Sequence, residues 1–295
     1  MTNLYFSERE LGLPEQNQEQ ISKAAWGGIV AIIGILQTTE AFGATFPDNC
    51  ADGRGCSGAN GGMLFLTIQS DLPNLQWPVD ADEIPSVLTI MDLLEFCHRN
   101  IGKPIQHDYH SYQGHYHFSY DVIEGQKEFR QKINLLFARH DLAYELKESG
   151  EIIRLIPLTL QASFRAKFNT GDNHLNEMLE TAKIKYLSPN LKIRIEALEK
   201  IWDAWERLKT MEIAPDKKSS ARLLLDRVTR ESNFRQLLET EAKELTSIGN
   251  NFMIRHTETT KIPIESSEQV DYLFQRIYAI IHLLLKARGN VIEQS

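Results

Sequence analysis

The feature that most constrains the fold of this chain is a series of long amphipathic segments that begins at Asn173 and contains few glycines. Apolar residues recur there at steps of three or four, the spacing that places side chains on one face of a helix. Four helices are predicted, at about 173–187, 189–211, 231–257 and 267–288. Pro189 suits the first turn of the second helix, and Pro263 interrupts the chain before the fourth. The pattern favours an antiparallel helical bundle.

Two of these helices carry a continuous apolar stripe. The stripe of the second helix consists of Leu198, Ile201, Trp202, Trp205 and Leu208. The stripe of the fourth helix consists of Val270, Phe274, Ile277, Ile281 and Leu284. Two tryptophans on one helix anchor a core because each buries a large apolar area. The stripe of the fourth helix suits the core and also a dimer seam.

The residues before this bundle predict a separate domain. A chain of 295 residues is long enough for two hydrophobic cores, and the texture of the sequence changes between residues 165 and 172. We therefore predict an N-terminal domain at 1–168 and a C-terminal domain at 169–295. The predicted fold class is mainly α, with an N-terminal α+β domain that contains a small β-hairpin and a C-terminal antiparallel helical bundle.

The N-terminal domain has a weaker pattern. Helical spacing predicts helices at about 15–42, 84–101 and 122–140. Two short β-prone runs flank Ser149 and Gly150 and predict the hairpin. The segment 46–62, rich in Gly, Asn and Asp, is predicted to be an irregular loop. Periodicity leaves 63–72 open between a short strand and a buried helix.

Charge and cysteine content limit the class of protein. The net charge of -8 argues against a basic surface that coats nucleic acid, so any nucleic-acid contact is predicted to be local. Three cysteines suggest no disulfide framework and fit a reducing compartment. The apolar run Ala24–Leu36 is shorter than the roughly 20 residues that cross a bilayer. We therefore predict a cytoplasmic protein with no membrane partner, and the lack of a Walker-type loop disfavours an NTPase.

The most informative segment for chemistry is LTSIGNNFMIRHTE, at 245–258. An apolar stripe of Leu238, Ala242, Leu245, Gly249 and Phe252 precedes His256, which continues it. Glycine in a helix interior costs about 1 kcal/mol relative to alanine. Gly249 therefore suggests that another backbone approaches the helix at this point.

Two interpretations of the end of this segment remain open. In the first, Arg255 stabilises phosphate charge, His256 acts as general acid or base, and Asn251 orients one of them. Glu258 lies three residues beyond Arg255 and adds a carboxylate. In the second, the His caps the apolar stripe and the Arg pairs with a surface carboxylate. On the second predicted helix, an ion pair between Asp203 and Arg207 on a solvated face is the favoured interpretation.

A second polar segment, HDYHSYQGHYHF at 107–118, contains four histidines, and Cys97 and His98 lie shortly upstream. Its spacing matches no established metal motif. Aromatic packing of a folded loop is the favoured interpretation, followed by a contact surface for a ligand or partner, with zinc the least favoured alternative. No metal and no cofactor are therefore predicted.

Several separate motifs together resemble AbiJ-like abortive infection proteins. In the C-terminal half these are GNNFMIRHTE, WDAWERLKT and VDYLFQRIYAIIHLLLK. In the N-terminal half they are FPDNC, LQWPVD, MDLLEFCHRNIGKP and FRQKINLLFARHDLAYEL. The resemblance covers about residues 5 to 288, and the C-terminal half of such proteins is similar to HEPN domains.

The resemblance implies a function in phage defence. The expected activity is growth arrest through metal-independent RNA cleavage by a homodimer, with tRNA or another cellular RNA as substrate. A phage-derived trigger is expected, with the N-terminal domain as the sensing or regulatory part. The alternative is a non-catalytic HEPN-like module that dimerises or binds a partner protein or a nucleotide.

The resemblance also assigns site residues. His256 matches the catalytic His of HEPN nucleases, whereas the positions at which those nucleases place an Arg hold Asn250, Asn251 and Phe252. Arg255 or Arg207 would then supply the positive charge. The predicted catalytic residues are Arg255, His256, Asn251, Glu206 and Arg207. The predicted substrate-binding residues are Asn250, Lys209 and Glu258.

Overall fold

A computed structural model describes residues 4–53, 55–156, 158–213, 216–252, 254 and 261–292. These residues are mainly helical, with small antiparallel sheets. The chain divides into two compact units, Met1–Leu155 and Ile156–Ser295. The boundary therefore lies earlier than the predicted one, because Phe164 and Phe168 pack into the core of the helical second unit.

The first unit combines helices with a four-stranded sheet. Its helices are α1 (Phe6–Leu11), α2 (Lys23–Thr38), a 3-10 turn (Ala41–Ala44), α3 (Gly61–Asp71), α4 (Val87–Asn100) and α5 (Val122–Arg139). Its strands are β1 (Pro47–Asn49), β2 (Cys56–Ala59), β3 (Lys103–His110), β4 (His115–Asp121), β5 (Tyr144–Leu146) and β6 (Ile152–Arg154). The larger sheet has the order β1-β2-β4-β3, and β5 and β6 form the predicted hairpin.

Three predictions for the first unit are corrected. The helix predicted at 15–42 begins only at Lys23, because Ser22 caps it and the backbone N–H groups of Asn17 and Gln18 donate to the carbonyl of Asp141 instead. The loop predicted at 46–62 contains the hairpin of β1 and β2. The loop predicted around the histidines at 107–117 is the hairpin of β3 and β4, held by a ladder that local composition does not reveal.

The other predicted helices of this unit are found with small shifts. The segment 84–101 forms α4, which starts after the cap Ser86, and 122–140 forms α5 after the cap Asp121. The segment 63–72 is part of the helix α3. The core contains Trp26, Ile29, Ile33, Leu93, Leu94, Phe129, Ile133 and Phe137, all 2% exposed or less.

The second unit is helical apart from one short strand pair. Its helices are α6 (Leu158–Arg165), α7 (Asn173–Tyr186), α8 (Leu191–Leu208), α9 (Lys217–Val228), α10 (Ser232–Asn251) and α11 (Ser267–Ala287). The strands β7 (Lys167–Phe168) and β8 (Val291–Ile292) pair antiparallel. Both predicted stripes, on α8 and on α11, are buried in one core, so these predictions are confirmed for the core. The helix α9 was not predicted.

The helix predicted at 231–257 ends at Asn251. Phe252 has an extended backbone and forms a parallel bridge with Ile262, whose own extended conformation suits a residue before a proline. The close approach at Gly249 is a side chain and not a backbone, since an added Cβ would lie 2.4 Å from Nε1 of Trp202. That indole N–H donates to the carbonyl of Leu245 at 3.1 Å. Among the described residues, no helix is both long and apolar enough to cross a bilayer.

Candidate functional site

A pocket of about 350 Å³ lies in the helical unit where the end of α8, the helix α9 and the helix α10 meet. Its cationic lining consists of Lys209, Lys217, Lys218, Arg222, Arg235 and Lys243. The remaining lining consists of Glu239, Thr246 and the apolar residues Ala221, Leu225 and Ala242. The pocket therefore combines an apolar base with a basic surround.

Local sequence explains how α9 and α10 present these side chains. Asp216 caps α9 by accepting from the backbone N–H groups of Lys218 and Ser219, and Glu231 caps α10 in the same way. On α9, the pocket residues recur at 217, 218, 221, 222 and 225, the spacing of one helix face. On α10 they recur at 235, 239, 242, 243 and 246. Each helix thus places basic residues beside small apolar ones.

The charge of this pocket is opposite to that of the whole chain. Six cationic side chains line it against one carboxylate, while the chain carries a net charge of -8. Counting also Glu206 and Asp226, which pair with lining cations from outside the lining, the ratio is six to three. A local excess of positive charge attracts anions even when the net charge is negative.

Lys209 is the most constrained of these cations. It is 9% exposed, and its Nζ donates to Oε1 of Glu206 at 2.6 Å and to Oγ1 of Thr246 at 3.2 Å. The same Nζ lies 5.3 Å from the ring centre of Trp205, within the range of a cation–π contact. A second lysine, Lys217, lies 3.6 Å from Oε2 of Glu206. Lys209 and Glu206 therefore form a fixed charged pair at the edge of the pocket.

The carboxylate of Glu239 is held by basic neighbours. Its hydrogen bond from Lys243, together with the charges of Lys243, Arg235 and Arg222, keeps the pKa of Glu239 below its usual value. Arg235 contacts Glu239 at 3.2 Å and Asp226 at 2.5 Å. This part of the lining is thus largely neutralised.

Lys218 and Arg222 differ from the other cations. Both are exposed, and in the described part of the chain neither makes an ion pair. They lie four residues apart on α9, so they occupy the same face one turn from each other. They are the residues best placed to bind an anionic group from solution.

Two predicted site residues, Glu206 and Lys209, are brought together at this pocket. A third, Asn250, lies one turn beyond Thr246 on α10, so it continues the face of α10 that lines the pocket. Asn251 is exposed at the last position of α10, and its Nδ2 donates to Oγ of Ser247 at 3.2 Å. Glu206 and Lys209 are therefore in contact, and Lys209 contacts Thr246, whereas Asn250 and Asn251 lie further along α10 at its C-terminal end.

Arg207 is engaged elsewhere. Its Nε and Nη2 donate to the two carboxylate oxygens of Asp172 at 2.7 and 3.1 Å. The hydrogen bond from Arg207 is also the main reason why the pKa of Asp172 lies below its usual value. Since Asp172 also caps α7, this pair ties α8 to the start of α7. The predicted catalytic role of Arg207 therefore has no support in this geometry.

Arg255, His256 and Glu258 lie outside the described residues. The chain on either side of them is described at the end of α10. The backbone N–H of Ile262 donates to the carbonyl of Asn251 at 3.0 Å, and Nζ of Lys261 donates to the carbonyl of Asn250 at 2.6 Å. The described residues Lys261 and Ile262 therefore lie beside the two predicted asparagines.

Sequence reasoning missed most of the basic lining. Lys217, Lys218 and Arg222 lie on α9, which was not predicted, and Arg235 and Lys243 were not singled out on α10. A signal was present, since cationic residues recur four residues apart at 218 and 222 and two turns apart at 235 and 243. Their convergence on one pocket depends on how α9 packs on α10.

A second group of chemically competent residues lies in the first unit. One ligand atom from each of Cys50, His110, His115 and His117 lies within 4.8 Å of the others. Cys50 was not predicted to join the histidine-rich segment, because it lies 60 residues before His110, the histidine that its Sγ contacts. In the part of the chain that the structure describes, this is the group whose ligand atoms lie close enough together to hold a metal ion.

Comparison with known proteins gives no relative. The chain matches no family model, no curated protein and no solved structure. The functional argument therefore depends on the geometry of the chain and on the motifs of its sequence.

Proposed function

We propose that this protein is an antiphage abortive-infection effector whose helical unit binds and cleaves RNA without a metal ion. The observation that carries the proposal is the basic pocket formed by α8, α9 and α10 in an acidic chain. Binding of nucleic acid depends on cations that neutralise phosphates. In this chain such cations line a pocket at which two of the predicted site residues, Glu206 and Lys209, form an ion pair.

The lining of the pocket suits one nucleotide unit of an RNA strand. Lys218 and Arg222 are available to bind backbone phosphates, since neither lies within 4 Å of a carboxylate oxygen among the described residues, although the charge of Arg222 acts on Glu239. Ala221, Leu225 and Ala242 offer an apolar surface for a sugar or a base. A volume of about 350 Å³ is at the lower end of the range of ligand pockets, roughly 300–1,000 Å³.

The proposed reaction uses the 2′-hydroxyl of the RNA itself. His256 accepts the proton of the 2′-hydroxyl, whose oxygen attacks the adjacent phosphorus, and the bond from phosphorus to the 5′-oxygen breaks as water donates a proton to that oxygen. The products are a 2′,3′-cyclic phosphate and a 5′-hydroxyl. Arg255 and Lys209 stabilise the charge that develops on the phosphate, Glu206 holds Lys209, and Asn250 and Asn251 orient the reacting groups. Glu258 binds the substrate in this scheme.

The proposal includes the biological setting that the motifs imply. The substrate is tRNA or another cellular RNA, the active form is a homodimer in the cytoplasm, and a phage product acts as the trigger. Under this proposal, the first unit senses the trigger or restrains the activity. Support for these parts comes from the motif resemblance alone.

The binding step is tested by fluorescence anisotropy with a labelled single-stranded RNA at several salt concentrations. The double variant Lys218→Glu/Arg222→Glu is expected to lose binding, because two attractive charges become repulsive. The matched control is Lys167→Glu/Lys192→Glu, in which the same charge change falls on exposed lysines outside the pocket. Equal loss in both double variants would show that net charge and not the pocket governs binding.

The cleavage step is tested by expressing wild type, His256→Ala and Arg255→Ala during phage challenge and sequencing RNA ends. The expected result is new 2′,3′-cyclic phosphate ends in wild type that are lost in the folded His256→Ala protein. Protection from phage in both variants without any new RNA ends would overturn the proposed activity.

A second candidate function is binding of a free nucleotide without catalysis. The observation that favours it is the small size of the pocket, which fits a single nucleotide. If a mononucleotide binds as tightly as an RNA oligonucleotide, and no RNA is cleaved, this function replaces the first.

A further inference from the structure

Four side chains from two hairpin turns converge in the first unit. Cys50 directly follows β1, in the turn that leads to β2. His110 ends β3, and His115 begins β4 on the other side of the next turn. His117 is two residues further along β4. The cluster thus joins the β1–β2 turn to the β3–β4 turn.

Strand geometry explains why three histidines meet. His110 and His115 are direct partners in the β3–β4 ladder. Alternate residues of a strand point to the same side, so His117 lies on the side of His115. The ring centres are 5.6 Å apart for His110 and His115, 5.4 Å for His110 and His117, and 5.3 Å for His115 and His117. Each imidazole is therefore next to the other two.

Gly55 makes room for this arrangement. A Cβ at residue 55 would lie 3.3 Å from Cγ of His117, closer than ordinary van der Waals contact. Across the turn, the backbone N–H of Cys50 donates to the carbonyl of Gly55 at 2.8 Å. This bond fixes the position of the Cys50 backbone beside the histidines. The Sγ atom of Cys50 lies 3.4 Å from Nδ1 of His110.

Two of the imidazole nitrogens have no hydrogen-bond partner among the described residues. Nε2 of His115 and Nε2 of His117 are buried and accept or donate no hydrogen bond within the described part of the chain. A buried polar atom without a partner costs free energy, and native proteins rarely leave one unexplained. Two such nitrogens lie in one cluster beside a thiol. This arrangement is expected of ligand atoms that face a metal ion.

We propose that Cys50, His110, His115 and His117 bind one zinc ion. Zinc takes imidazole nitrogens at about 2.0–2.1 Å and thiolate sulfur at about 2.3 Å in a tetrahedron, which separates the ligand atoms by roughly 3.3–3.7 Å. The present ligand atoms all lie within 4.8 Å of one another. A contraction of about 1 Å, within reach of side-chain rotation, completes the tetrahedron.

The donor set and the local charge favour zinc. A thiolate with three neutral imidazoles suits zinc, whereas magnesium and calcium require oxygen ligands. The carboxylate of Asp52 lies 3.4 Å from Nδ1 of His110 and adds negative charge beside the cluster. With four protein ligands the site is closed, so its role is structural and not catalytic.

The larger sheet of the first unit has short strands that a bound ion would stabilise. The strands β1 and β2 are three and four residues long, and β2 is joined to β4 through one register pair, Cys56 with Phe118. Zinc bound to one turn on each side of this junction cross-links the two hairpins. The site is independent of the RNA-binding proposal, since it involves only residues of the first unit.

The test uses the full chain purified without a histidine tag, and measures metal content by mass spectrometry after dialysis. The expected result is about one zinc per chain, as four ligands closing one tetrahedral site require. In Cys50→Ser the affinity for zinc is expected to fall by more than about 100-fold. Loss of a hydrogen bond to a ligand costs up to about 100-fold in metal affinity, and loss of the ligand itself should cost more. The matched control is Cys56→Ser, a cysteine of the same hairpin whose Sγ donates to the carbonyl of Gly58 at 3.0 Å.

Cobalt replaces zinc as a spectroscopic probe that reports on the ligands themselves. Wild type and Cys56→Ser are expected to show the visible bands of tetrahedral cobalt and a thiolate charge-transfer band. Cys50→Ser is expected to lose the charge-transfer band, and His115→Ala/His117→Ala to lose the tetrahedral spectrum. His107→Ala, which removes a histidine of β3 bonded to Ser119 at 2.7 Å, is expected to retain both.

Three outcomes would overturn the proposal. The first is wild type that binds no zinc when the ion is supplied in slight excess over the chain. The second is zinc bound equally well by Cys50→Ser and by Cys56→Ser. The third is copper or iron held in place of zinc by the purified protein.

Discussion

The two units of this protein assemble their chemical groups in different ways. In the helical unit, the basic pocket draws on residues 209 to 246, so its members are close in the sequence and each lies on one face of a helix. In the first unit, Cys50 meets three histidines about 60 residues away through pairing of strands. The comparison teaches that helix faces can be inferred from local spacing, whereas a cluster built on strand register cannot.

The largest effect on one unit alone is expected from removing a tryptophan of the helical core. Trp202→Ala is expected to lower the free energy of unfolding of the helical unit by about 3–5 kcal/mol, because the buried indole fills the core and donates to the carbonyl of Leu245. Hydrogen exchange resolved by peptide measures this loss in each unit separately. Leu237→Ala, on the exposed side of α10, is the control and should change stability by less than about 0.5 kcal/mol. A similar loss in both variants would contradict the proposed core.

Removal of zinc is the corresponding test for the first unit. Chelation is expected to lower its free energy of unfolding by about 3 kcal/mol, the effect of a ligand at roughly 100 times its Kd. The measurement is the same exchange experiment with and without chelator. The loss should be confined to peptides of β1 to β4 and should be absent in Cys50→Ser. Loss of protection in α8 to α11 as well would contradict a role limited to this sheet.

A pair of glycine substitutions sharpens the comparison. Gly249→Ala is expected to destabilise the helical unit by about 1–3 kcal/mol through overpacking, since the added Cβ would lie 2.4 Å from the Trp202 indole. Gly34→Ala, in α2, meets open space and is expected to stabilise the first unit by up to about 1 kcal/mol. Chemical denaturation measures both changes. If both variants change the free energy of unfolding in the same direction, helix propensity and not packing determines the effect of alanine at these positions.

The ion pair between Asp172 and Arg207 should give the smallest effect. The pKa of Asp172 is lower in the folded protein, mainly because of the hydrogen bond from Arg207, so this stabilisation is present above the unfolded pKa of about 4 and is lost as the pH falls through the folded value. Because Arg207 is 40% exposed, the expected contribution is below about 1 kcal/mol. The measurement is the difference in unfolding free energy between wild type and Arg207→Met from pH 7 down to pH 3. A difference that does not shrink with falling pH would contradict this assignment.

Much of the helical unit could be predicted because its core stripes obey helical spacing. The stripes on α8 and α11 were read from spacing and are buried as expected. The end of α10 could not be placed, since the residues up to His256 continue the helical pattern while Phe252 pairs with Ile262 in the structure. The helix ends where it does because Phe252 pairs with a residue later in the chain. Local spacing of apolar residues does not reveal this pairing.

The candidate sites were predicted only in part. Glu206 and Lys209 were expected at one site and contact each other, whereas Arg207 pairs with Asp172. The choice of partner for an arginine depends on which carboxylate the fold brings within reach. The helix α9 escaped prediction because its three leucines, Leu223 to Leu225, stand in one run that shows no helical period, although Leu224 and Leu225 are buried.

The sequence by itself determined the helical character of the second unit, its buried stripes and the presence of a short hairpin around Ser149 and Gly150. These features follow from the spacing of apolar side chains within one helix or between two neighbouring strands. Only the tertiary structure decided that basic residues of α9 and α10 surround one pocket, and that Cys50 joins three histidines. Both depend on packing and on strand register, which bring together residues that no local pattern connects.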